Sequence, residues 1–98
     1  MNFDIVLSPT ATTALESLRK FDQKRIRDAL IERLRFRPLE ETRNRKRLRA
    51  NGIAQWELRV GNHRVFYDVD EEENLVRVLA IGYKQGSKLI ILGEEYES

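Results

Sequence analysis

Residues 56–68 read WELRVGNHRVFYD, and they leave the chain few folds to choose from. Apolar and polar side chains alternate on either side of Gly61-Asn62, which has the form of the two-residue, glycine-first turn that joins antiparallel strands. Counting outward from such a loop fixes the register, because a one-residue slip moves every side chain to the opposite face. Val60 then lies opposite His63, Arg59 opposite Arg64, Leu58 opposite Val65 and Trp56 opposite Tyr67. One face carries Trp56, Leu58, Val60, His63, Val65, Tyr67 and Val69. The other carries Glu57, Arg59, Arg64, Phe66 and Asp68.

Two arginines directly opposed on a sheet face destabilise it by a few tenths to about 1 kcal/mol relative to a neutral pair, so something must offset them. Glu57 and Asp68 share the face and permit a structural ion-pair ladder. An external anion is the alternative, since two guanidinium forks hold a phosphate from both sides. Carrying the count through an acidic loop at residues 70–74 pairs Val69 with Leu75 and Arg64 with Ala80. That places Val76, Val78, Ala80 and Lys84 on the arginine face. Arg59, Arg64 and Lys84 are thus the expected phosphate site, with Phe66 as an exposed stacking residue beside them, or else as part of a minor apolar patch with Val76 and Val78. His63 has an unperturbed titration near neutral pH, but it falls on the helix-covered face or at the hairpin tip. It is expected to be structural, as are Trp56 and Tyr67.

The remainder completes a small α+β domain. Phe3, Ile5 and Leu7 alternate with Asp4 and Val6 as in a short strand. Ser8-Pro9 is a helix-start pair, and Ala11, Ala14, Leu15 and Leu18 predict a first helix to about Lys20. Asp22 is the expected cap of a second, strongly basic helix, marked by Ile26, Ala29, Leu30, Arg33 and Leu34 and limited by Pro38. Residues 39–54 have no clean period and are expected to be a basic connector. Residues 75–83 predict another strand and residues 88–92 a short final one before a frayed acidic end. The order β-α-α-β-β-β puts two N-terminal helices on one face of a small antiparallel sheet, in a single domain over residues 1–98.

The net charge of +2 conceals a segregation. Of the 18 Lys and Arg, 13 lie between Arg19 and Arg49 among only five acids, whereas residues 68–97 hold eight acids and three bases. Such an arrangement points to a polyanion-facing surface, the alternative being solvated helix faces. The densest run is Arg43, Arg45, Lys46, Arg47 and Arg49. With no cysteine and a single histidine, thiolate and multi-histidine metal sites are excluded, and neither metal nor cofactor is expected. The start lacks the pattern of a secretion signal, and no stretch nears the roughly 20 apolar residues of a membrane span, so a cytoplasmic protein is expected.

The runs WELRVGNHRVFYDVD and VRVLAIGYK resemble the RelE/ParE superfamily of bacterial and archaeal toxin–antitoxin toxins. The likeness lies in a strand ending in arginine and a short turn, then RVFYDV, then a strand closing in glycine and a basic residue. The preceding strand–helix–helix order also fits, so it covers nearly the full length. It implies a domain neutralised by a cognate acidic antitoxin. For RelE-like members it further implies a ribosome-dependent, metal-independent endonuclease, which cuts mRNA through attack of the 2′-hydroxyl on the adjacent phosphorus and so inhibits translation. By motif position Arg59, Arg64 and Lys84 match the basic residues of those active sites, the trio that the strand count selects. The run from Arg43 to Arg49 becomes the expected rRNA-backbone contact. Glu57 stands where a further basic residue is often found, and KLIIL holds no matching aromatic, which leaves the general acid/base unassigned. The alternatives are a ParE-like inhibitor of DNA gyrase that cleaves nothing, and a catalytically degenerate RNA-binding member of the fold.

Overall fold

The computed structural model describes residues 2–96. Among these residues, seven strands form one sheet with two helices on one face, in the order β1 (Asp4–Leu7), α1 (Pro9–Glu16), α2 (Lys20–Leu34), β2 (Arg45–Arg47), β3 (Trp56–Val60), β4 (His63–Asp70), β5 (Leu75–Gln85), β6 (Lys88–Ile91) and β7 (Glu94–Tyr96). The strands from β2 to β7 run antiparallel in sequence order, and β1 lies parallel to the first half of β5. A parallel pair needs a long crossover, which the two helices begin. No helix among the described residues is long and apolar enough to cross a membrane.

Ser8 starts α1 as its sequence position predicts. Its hydroxyl accepts from the Ala11 amide at 3.1 Å and donates to the Leu79 carbonyl at 2.9 Å, which caps the helix and pins it to β5. The helix stops at Glu16, short of the expected Lys20, because the Gln23 side chain takes over the carbonyls of Glu16 and Leu18 at 3.3 and 2.7 Å. Arg19, not Asp22, is the N-cap of α2. Asp22 lies in the first turn, where a carboxylate suits the helix dipole, and pairs with Arg19 at 3.2 Å.

The β3–β4 hairpin has the counted register, from Trp56 opposite Tyr67 to Val60 opposite His63. Gly61 takes the left-handed φ of 60° that its turn position requires. Two expectations for the neighbouring strands need correction. Part of residues 39–54 is strand and not connector, since Arg45–Arg47 pairs with Trp56 to Leu58 as the sheet edge. Glu94–Tyr96, in the acidic end expected to fray, is strand as well, paired with β6; residues 97–98 lie outside the described residues.

The β4–β5 register also differs from the count, by two separate slips. The loop is one residue shorter than assumed, so Asp70 faces Leu75 and Val69 faces Val76. A bulge between Phe66 and Tyr67 then sets Tyr67 against Val78 but Phe66 against Ala80, leaving Leu79 as the extra residue. The first slip turns Val76 and Val78 to the helix side, where both are fully buried. The second restores the original parity, so Ala80, Gly82 and Lys84 share a face with Arg64.

Both faces of the sheet are covered. On the helix side Ala11, Leu15, Ile26, Leu30 and Leu34 pack on Trp56, Leu58, Val65, Tyr67, Val76 and Val78. Trp56 and Tyr67 stack at 6.1 Å, and the buried Tyr67 hydroxyl donates to the Pro38 carbonyl at 2.7 Å. On the other side Phe66, Ala80, Leu89 and Ile91 form a smaller core under Leu48, Ile53 and Ala54. Phe66 is therefore 2% exposed and belongs to that second core, not to a stacking surface.

Candidate functional site

Because Arg59 and Arg64 are direct cross-strand partners, they share the sheet face away from the helices. Their environments differ. Arg59 is half exposed, and its Nε donates to Oε1 of the nearly buried Glu57 at 3.2 Å. Arg64 donates only to backbone, with Nη1 at 2.9 Å from the Gly61 carbonyl and 3.0 Å from that of His63. No carboxylate among the described residues forms an ion pair with it, and its Nε is buried without a partner. Burial holds the Arg64 guanidinium below the usual arginine range; Glu57 opposes that shift and Arg59 adds to it. An anion at Arg64 would therefore relieve an electrostatic cost that the fold leaves standing.

Lys84 lies half-buried beyond the hairpin tip, its amide donating to the Asn62 carbonyl at 2.8 Å. It pairs with Leu89, and Leu89 with Tyr96, so Lys84 and Tyr96 stand on one face two strands apart. The Tyr96 hydroxyl is 3.4 Å from a Glu94 carboxylate oxygen. Separation along the chain hides this relation from the sequence.

A groove of about 560 Å³ opens between α2 and the hairpin tip, lined by Arg25, Arg33, Arg43, Arg59 and Arg64 against Asp28 and Glu32. Arg25 was not singled out from sequence, and Arg33, placed with the apolar stripe of the second helix, is instead exposed and lines the groove. Their signal was the eight-residue spacing, two helical turns apart, that sets them with Ala29 along one face of α2. Arg25 packs so closely over the turn that a Cβ on Gly61 would lie 2.8–3.0 Å from its guanidinium. Glycine thus permits both the backbone conformation and the arginine above it.

The run from Arg43 to Arg49 does not act as one surface, because β2 alternates. Arg43 enters the groove. Arg45 contradicts its expected role as an RNA contact: it is 7% exposed, and its guanidinium donates to the Arg33 and Glu40 carbonyls at 2.6 Å each. It closes the end of α2 and is unavailable to a ligand. Arg47 sits over the Trp56 ring at 5.8 Å on the helix side, while Lys46, opposite Glu57, stands on the arginine face. Arg49 lines a separate hollow with residues 47–55. His63 is partly buried at the hairpin tip, as expected. Burial lowers its pKa below 6.5, Asp22 opposes this, and Arg25, Arg19 and Arg64 reinforce it. Its cationic form is thus disfavoured relative to an exposed histidine.

Residues 5–86 match the family described as ParE toxin of type II toxin–antitoxin system, parDE. No curated protein matches. Among solved structures, the fold is similar to that in the toxin–antitoxin complex RelBE2 from Mycobacterium tuberculosis, with a TM-score of 0.73 and 23% identity over 86% of this chain and 100% of that one. It is also similar to a chain of the archaeal RelE–RelB complex from Pyrococcus horikoshii OT3, with a TM-score of 0.60 and 25% identity over 83% of this chain and 93% of that one.

Proposed function

The chain belongs to the ParE toxin family of type II toxin–antitoxin systems, within the RelE/ParE superfamily, and from that premise we propose that it is a ribosome-dependent mRNA endonuclease held in check by an acidic antitoxin. The observation that carries this reading is the Arg59–Arg64 pair, with Arg64 free of any described carboxylate. A scissile phosphate seated between the two guanidinium groups supplies the missing counter-charge. The RNA 2′-hydroxyl gives its proton to solvent as its oxygen attacks the adjacent phosphorus, a P–O bond forms as the bond to the 5′-oxygen breaks, and that oxygen departs with a proton. Arg59 and Arg64 hold the non-bridging oxygens. Lys84 stabilises the charge of the phosphorane or protonates the leaving oxygen, and Tyr96 is a second proton-bearing group on the same face. Arg43, Lys46, Arg47 and Arg49 make RNA-backbone contacts on different sides of the domain.

A second reading has its own support. The matched family takes its description from ParE toxins, which favours inhibition of DNA gyrase with no cleavage. Toeprinting of a translated message separates the two. Codon-positioned cuts that disappear in Arg64→Ala are expected; an intact message together with inhibited supercoiling would replace the nuclease reading with the gyrase one. Both similar structures are complexes of a toxin with its antitoxin, which supports an antitoxin partner here. The product of a short acidic reading frame beside the gene should co-purify with the chain, and failure of any adjacent product to bind would remove that part of the proposal.

A further inference from the structure

A second groove, of about 530 Å³, adjoins the first and shares Glu32 and Arg33 with it; Phe36, Arg37, Thr42 and Arg45 complete its lining. Phe36 is the conspicuous member. It is 54% exposed and stands between Arg35 and Arg37, just past the end of α2, with the Arg35 guanidinium 5.9 Å from its ring centroid. The backbone on either side is held in place. The Arg35 carbonyl accepts from the Phe3 amide at 2.7 Å, and the carbonyl of the buried Pro38 accepts from Tyr67 at 2.7 Å. The fold thus fixes the chain around an aromatic ring and leaves the ring in solvent.

Surfaces that bind single-stranded nucleic acid join a cationic groove, which follows the phosphates, to exposed aromatic rings on which bases stack. The observed combination matches that chemistry. Five arginines line the first groove, Arg33 continues into the second, and the phenylalanine lies where a strand leaving the Arg59–Arg64 site along α2 would pass. We propose that Phe36 is a base-stacking platform for an unpaired stretch of nucleic acid held along these two grooves. The proposal does not depend on cleavage at the arginine pair, since stacking and phosphate binding need no chemistry. It also transfers the aromatic contact expected of Phe66, which is buried, to a residue of the second groove.

The test is fluorescence anisotropy of the full chain with a labelled, unstructured RNA dodecamer and with an abasic strand of the same length. Phe36→Leu should weaken RNA binding roughly tenfold or more, while Phe36→Trp preserves it, because stacking requires a π-face and not mere apolarity. The abasic strand should bind wild type and Phe36→Leu equally. The slope of log affinity against log salt should be unchanged in Phe36→Leu but shallower by about 0.7 in Arg33→Ala, the loss of one single-strand phosphate contact. Equal melting temperatures for wild type and Phe36→Leu establish that the exposed side chain can be changed without unfolding. RNA affinity unchanged in Phe36→Leu, or an equal loss on the abasic strand, would overturn the proposal.

Discussion

Arg45 and Arg64 carry the same guanidinium, and their surroundings decide what each does. Arg45 spends its donors on two backbone carbonyls, one of them at the end of α2, whereas Arg64 keeps a buried donor free. Arg45→Met should lower stability in urea denaturation by about 2–4 kcal/mol, since charge-assisted hydrogen bonds are lost and buried acceptors are left unpaired. Arg43→Met and Lys46→Met should stay within about 0.5 kcal/mol of wild type, as exposed substitutions do. The sequence showed five cations in seven positions but not which way each faces; that is set by β2, whose basic residues gave no apolar alternation by which to recognise a strand. His63 gives a pH signature. Its pKa is lowered in the folded state, so the unfolded chain takes up the proton first as pH falls. Its contribution to stability is complete above the ordinary value of 6.5 and is lost progressively below it. Urea midpoints at about pH 7.5 and pH 5.5 should differ more in wild type than in His63→Gln.

At the scale of elements, legibility depended on loops. The β3–β4 hairpin could be read residue by residue because a two-residue turn leaves a single register. The β4–β5 pairing could not, because residues 78–81 are all apolar and carry no alternation through the position where Leu79 bulges, so no polar side chain marks the extra residue. Phe66 was misplaced for a related reason. Alternation showed which side it faces, but the cover over that side comes from Leu48, Ile53 and Ala54 in an aperiodic segment. Phe66→Ala should accordingly cost about 3–5 kcal/mol as a cavity-forming core change. The contact between β5 and β6 supplies another test. A Cβ on Gly82 would collide with the Ile90 backbone carbonyl oxygen and lie 2.7 Å from the Ile91 side chain. Gly82→Ala should destabilise the chain by about 1–3 kcal/mol and speed amide exchange in β6 and β7, leaving the helix-side core protected.

Across the whole molecule, charge segregation along the chain becomes segregation in space. Basic side chains from α2, the 43–44 segment and the β3–β4 hairpin converge on one groove. Counting on from Tyr83 opposite Ile90, Glu94 lies in the same cross-strand row as Arg64, three strand spacings or about 14 Å away. Among the described residues, the acidic strand therefore forms no ion pair with either arginine, and its Glu95 pairs with Lys88 instead. Glu57 is the internal competitor, and it engages Arg59 alone. The family likeness was legible because its motif is the hairpin itself, whereas the contribution of α2 to the groove required the helix to be docked. The most direct test of the account is inducible expression of the chain without its neighbouring gene, scored for growth arrest in wild type and in the Arg59→Ala/Arg64→Ala double variant, with equal folding established by circular dichroism. Wild type should arrest growth and the double variant should not; arrest by the double variant as rapid as by wild type would contradict the claim that this arginine pair holds the toxin's anionic target.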